Sequence, residues 1–178
     1  MTHDIKDPLH IVRIESIRHF DDCQYSYLPY FDEIFGVYTS QKDAQRAVWS
    51  YFGIFLDESS KDKLVNLSKE VVDPSWKLFC HHMTIAFNYG SVSATQMFEY
   101  YNDTFGEKFE LQATHIGISD DAVAVKVEFP YPINNKIPHI TLATPQGGKL
   151  VNSNYITEWK KLDTPIQLTG ILNVYKKK

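Results

Sequence analysis

With 178 residues, 43% of them apolar and 14% aromatic, the chain can bury one substantial core but is short for two independent ones. Its 22 acidic against 18 basic side chains leave a net charge of −4, which argues against indiscriminate binding to a polyanion, because such binding depends on many lysines and arginines displacing counterions. Apolar runs are too short to span a membrane and Met1-Thr2-His3-Asp4 does not open like a signal peptide, so the expectation is a single soluble, cytoplasmic domain over 1–178 with no membrane partner.

The first helical pattern runs from Ser40 to Phe55, where Ala44, Ala47, Val48, Tyr51, Phe52 and Phe55 recur at helical spacing. A second helix is expected over Ser60–Val72, with Leu64, Leu67 and Val71 on one face and Asp73-Pro74 beyond its end. Leu78–Phe87 reads as a strand. A third helix starts at Ser93 as N-cap, carries Met97, Phe98, Tyr101 and Phe105, and stops at Gly106. Phe109–Ile118 and Ala122–Phe129 read as a hairpin around Ser119-Asp120-Asp121, the second arm alternating Val123, Val125, Val127 against Ala124, Lys126, Glu128. A strand over Lys136–Thr144, a short helix around Asn154–Lys161 and a last strand over Pro165–Tyr175 complete an α+β order.

Two of the strands carry the same phrase: His82-Met83-Thr84-Ile85-Ala86 and His139-Ile140-Thr141-Leu142-Ala143. They contain the only two H-x-[S/T] matches among the chain's 7 histidines. Alternation along a strand puts each histidine and threonine on one face and Met83, Ile85, Ile140 and Leu142 on the other. Paired imidazoles, each with an ordinary pKa of about 6.5, suit acid and base roles on opposite sides of a phosphodiester. Threonine hydroxyls can donate to its non-bridging oxygens. This chemistry requires no metal and no cofactor, so activity is expected to persist in EDTA.

The paired motifs, 139 − 82 = 57 residues apart, are similar to the signature of the two-histidine (2H) phosphoesterase superfamily. The resemblance covers Leu78 to the C-terminus through the order of elements. It implies a bilobal α+β fold: two pseudo-symmetric antiparallel sheets, helices outside, a central groove between, and His82, Thr84, His139 and Thr141 as the catalytic set. It also implies a nucleotide or RNA-end phosphodiester as substrate, whether a 2′,3′-cyclic phosphate, a 2′,5′-linked oligoadenylate, a cyclic dinucleotide or an RNA 3′ tail. The stretch Thr144 to Asn154, with Gly147-Gly148-Lys149, resembles the RNA-repair branch that includes the phosphodiesterase part of fungal tRNA ligases. That ordering puts a 2′,3′-cyclic phosphate first.

Outside the motifs, Tyr131 on the loop before the second motif and Tyr30 in the cluster Tyr25, Tyr27, Tyr30, Phe31 are candidates for stacking a base, against a core-packing alternative. Lys149 beside two glycines is a candidate phosphate contact, against an ordinary turn. His81 and His82, as adjacent strand residues, are expected on opposite faces, which disfavours a metal pair. Cys80 is expected on the His82 face as packing, Cys23 as a small core residue, and His115 as a structural histidine. The competing functional readings are a nucleotide or RNA-end binding module that uses the same groove without turnover, and a partner-binding protein in which the motif is incidental. The sequence leaves the oligomeric state open.

Overall fold

The computed structural model describes residues 51–87 and 92–175, together with the backbone of two short paired segments, β1 (His10–Ile11) and β2 (Val37–Tyr38). The expected helix over 40–55 is corrected where it can be followed: Tyr51–Leu56 is a strand, β3, and 40–50 lies outside the described residues. Every residue of Tyr51-Phe52-Gly53-Ile54-Phe55-Leu56 is apolar or small, so helical and extended spacing both fit. Packing decides between them. Phe52, Ile54 and Leu56 enter the core, while Tyr51 and Phe55 turn to the other face.

Helix α1 (Glu58–Val71) starts on Asp57, whose carboxylate accepts the Ser60 N–H at 2.8 Å, and buries Leu64 and Ser68. Asp57→Ala should cost about 1 kcal/mol, read as a lowered denaturation midpoint at unchanged slope. After it come β4 (Lys77–Leu78), β5 (His82–Phe87) and helix α2 (Val92–Tyr101), which starts one residue before the expected Ser93 cap and continues as a short 3-10 turn over Asn102–Thr104. The expected hairpin is present as β6 (Lys108–Ile118) and β7 (Val123–Glu128), closed by the Ser119 hydroxyl and amide on the Ala122 carbonyl. The second motif strand is β8 (His139–Thr144). The expected helix over 154–161 is replaced by a 3-10 turn at Leu150–Tyr155, and Trp159–Tyr175 forms one long strand, β9. Trp159, Lys160 and Lys161 are drawn into it by pairing with Gly117, Ile116 and His115 of β6.

The implied arrangement of two separate sheets in two lobes is not what the strands form. Their order is β8-β5-β3-β9-β6-β7, and β7 pairs back onto β8, so six antiparallel strands close into one barrel with β4 appended to β8. Closure leaves few exposed sheet edges, and the described residues contain only two α-helices. The closing seam between β5 and β8 is held by a single residue pair, Met83 opposite Ile140.

Phe52 on β3 meets Phe98, Tyr101 and Phe105 edge-on at ring-centroid distances of 6.0, 6.0 and 5.6 Å. The helix-packed face of the sheet carries Phe52, Ile54, Met83, Ile85, Ile140, Leu142, Leu168 and Leu172, all fully buried. Alternation turns the remaining residues of the same strands to the opposite face.

Candidate functional site

Met83 and Ile140 lie across from each other and both join the core, which fixes the neighbours on either side. Met83, Ile85, Ile140 and Leu142 lie in the core, so alternation sends His82, Thr84, His139 and Thr141 to the opposite face. The two motifs run side by side in opposite directions from the Met83–Ile140 pair, with Thr84 leading toward His139, while Thr141 stands opposite Cys80, whose amide donates to its carbonyl. His139 is close enough to His82 for its charge to act on that ring.

The backbone before His82 departs from the expected continuous strand over 78–87. Lys77 and Leu78 pair with Thr144 and Ala143, and the Phe79 and Cys80 amides then donate to the Leu142 and Thr141 carbonyls at 2.8 and 3.1 Å. By Met83 the register on β8 has slipped by two residues. Cys80 takes up the slip with φ = 53°, a left-handed conformation unusual outside glycine. This overturns two expectations. The Cys80 thiol is buried on the α1 side, 3.5 Å from the Ser68 hydroxyl, with its pKa raised by that burial, rather than on the His82 face. His81 is no longer opposed to His82: their rings stack at 4.5 Å and the two Nδ1 atoms are in contact. Cys23 lies outside the described residues.

His82 is walled by aromatic rings. Tyr51 stacks on it at 4.8 Å and Phe55 at 5.4 Å, and Tyr175 continues the stack beyond Tyr51 at 4.8 Å. Burial, then the charges of His81 and His139, push the His82 pKa down to about 3. His139 is held differently. Its Nδ1–H donates to the Ile137 carbonyl at 2.8 Å, which leaves Nε2 as the acceptor and partly offsets the lowering that burial imposes. His81 is also lowered, by burial and by Lys61. The expectation of two imidazoles titrating near their ordinary value is thereby corrected for the free protein.

A folded imidazole whose pKa is depressed refuses protons that the unfolded chain binds. Stability is therefore complete above about pH 6.5 and is lost as pH falls toward 3. Wild type should lose melting temperature between pH 7 and pH 4.5 more steeply than His82→Gln. Parallel declines in the two proteins would show that His82 contributes nothing to this slope.

Thr141 shares a hydrogen bond of 2.8 Å with the buried Ser153 hydroxyl, which ties the 3-10 turn to the second motif. Lys149 stands at the start of that turn, makes no side-chain capping bond there, and is exposed. Tyr131 is 46% exposed and packs on Phe109 and Phe129 at 5.9 and 5.1 Å; Phe109 and Phe129 belong to the rim of the core rather than to the motif face. Tyr30 lies outside the described residues. Tyr51, Phe55, His81, Ile137 and Ser153 enter the site unforeseen. The signal for Tyr51 and Phe55 was their two-residue alternation with Phe52, Ile54 and Leu56. Among the described residues, no three side chains of metal-binding type cluster, and no helix is long and apolar enough to cross a membrane.

No family model and no curated protein matches the chain. Solved structures do: 48 chains resemble it. One, a fungal RNA kinase, superposes with a TM-score of 0.54 over 85% of this chain and 50% of its own length, at 16% identity. The present chain thus spans half of that protein, and the likeness is one of fold.

Proposed function

We propose that the paired His/Thr motifs form the reaction centre of a metal-independent phosphodiesterase of the two-histidine type, acting on nucleotides or RNA ends and first of all on a 2′,3′-cyclic phosphate. The observation that carries this reading is the Met83–Ile140 pair, which sets the two motifs side by side with both histidines and both threonines on the face opposite the core. Acid and base then stand within reach of one phosphate, with the two hydroxyls on the same face.

His139 is the base in this scheme. The Ile137 carbonyl holds its Nδ1–H, so the lone pair of Nε2 points to the incoming water. As His139 takes the water proton, the oxygen bonds to phosphorus and the bond from phosphorus to one ribose oxygen breaks. His82, charged through the approach of the anionic phosphodiester, gives its proton to that departing oxygen. Thr84 and Thr141 donate to the non-bridging oxygens as charge gathers there. The product is a phosphomonoester, and a proton passing from His139 to solvent and another returning to His82 restore the enzyme.

The test is incubation with 2′,3′-cyclic nucleotides, 2′,5′-oligoadenylate and cyclic dinucleotides in EDTA, with products resolved by phosphorus NMR. Turnover of the cyclic phosphate to a monoester is expected. Calorimetric binding without product would leave a binding module in its place.

A further inference from the structure

The register extends outward from His139. His139 pairs with Lys126 on β7, Lys126 with His115 on β6, and His115 with Lys161 on β9. Each is on the motif side of its strand, because Val125 and Ile116, their neighbours in sequence, belong to the core. A register shift between Ala113 and His115 brings His115 into this row, with Thr114 tucked in as the extra residue and bonded to the imidazole Nδ1 at 2.9 Å. At roughly 4.8 Å per strand the row runs about 14 Å along the curve of the sheet. It contains no acidic residue; exposed Glu128 stands two residues along β7 from Lys126 and exposed Asp163 two residues along β9 from Lys161. In a chain of net charge −4 such a run of cations and imidazole does not follow from general basicity. Lys126 and His115 are half-buried and Lys161 is exposed, so the row is open to a ligand. The adjacent row is filled instead: Ala124, Ile156 and Trp159 pack together, and a side chain at Gly117 would strike Ile156 and Trp159.

We propose that Lys126, His115 and Lys161 form a track for backbone phosphates adjacent to the reacting one, so that the preferred substrate is an RNA strand ending in the labile phosphate rather than a free mononucleotide. The inference rests on the phosphodiesterase reading and deepens it. Charge chooses the ligand: a line of donors leading away from a phosphate site matches a chain that carries one anion per nucleotide.

The experiment compares kcat/KM on a 2′,3′-cyclic mononucleotide with that on a short oligoribonucleotide ending in the same group, at about 50 and 200 mM salt. The oligonucleotide should be favoured roughly tenfold or more at low salt, with the advantage shrinking as salt rises. Lys126→Ala and Lys161→Ala should each lower the oligonucleotide-to-mononucleotide ratio several-fold. Equal values for both substrates in wild type would overturn the track, as would an unchanged ratio in the Lys126→Ala/Lys161→Ala double variant. Fluorescence anisotropy with a labelled oligoribonucleotide bearing a 3′-phosphate decides the same point without turnover: wild type should bind in a salt-dependent way and the double variant several-fold more weakly. If neither cyclic substrate is cleaved, the phosphodiesterase reading fails while the anisotropy result still decides the track.

Discussion

His139→Ala and His82→Ala should each lower kcat/KM on a 2′,3′-cyclic phosphate by roughly 10²–10⁴, the range expected when a general acid or base is lost. His139 supplies the only Nε2 fixed as an acceptor by a backbone carbonyl among the described motif residues, and His82 supplies its counterpart across the β5–β8 seam. Neither ring belongs to the core cluster of Met83, Ile85, Ile140 and Leu142, so circular dichroism should stay that of the wild type. The pH–rate profile separates the two. At saturating substrate, removing the base should flatten the acid limb of kcat, and removing the acid the alkaline limb. Wild-type activity in either variant would dismiss the mechanism.

Gly53→Ala should unfold the protein or weaken it by about 3 kcal/mol or more, measured by urea denaturation. A Cβ at Gly53 would lie 2.2 Å from the Met83 carbonyl oxygen and 3.1 Å from the Thr84 Cα, both backbone atoms with no room to yield. The clash falls where β3 shifts register against β5, beside the first motif, so β3 and β5 would have to part. Gly147 makes the contrast. Its φ of 80° opposes an alanine, but nothing stands within 4 Å of a new Cβ, so Gly147→Ala should cost about 1 kcal/mol. Equal losses at the two positions would mean that the close approach of β3 to β5 is unimportant.

The motif strands were legible in the sequence because each alternates strictly, His and Thr against two large aliphatic residues, and that pattern has one extended reading. The β6–β7 hairpin was legible for the same reason, and α1 through its spaced leucines and the Asp73-Pro74 stop. Residues 51–56 fit either period because their apolar run is unbroken, and the packing of Phe52, Ile54 and Leu56, with the close approach of Gly53 to Met83, selects the strand. Barrel closure was hidden because it depends on β7 meeting β8 and on β9 reaching back to Trp159, pairings that leave no mark within either segment. The stacking of His81 on His82 was equally hidden. It follows from a left-handed turn at Cys80, a residue with no special liking for that conformation, imposed by hydrogen bonds to Thr141 and Leu142.

The single contact that joins the motif strands also defines a local dyad. Half a turn about an axis between Met83 and Ile140 matches the two motifs in chain order, His82 with His139 and Thr84 with Thr141, up to the slip at Cys80. The quartet by itself cannot tell head from tail in a substrate, and polarity must come from what lies to either side. Stacked rings of Tyr51, Phe55 and His81 flank one histidine, and the Ile137 carbonyl and Lys126 flank the other. Which ribose oxygen departs is therefore written in those flanks, and exchanging them, not the motifs, is the route to reversing the product.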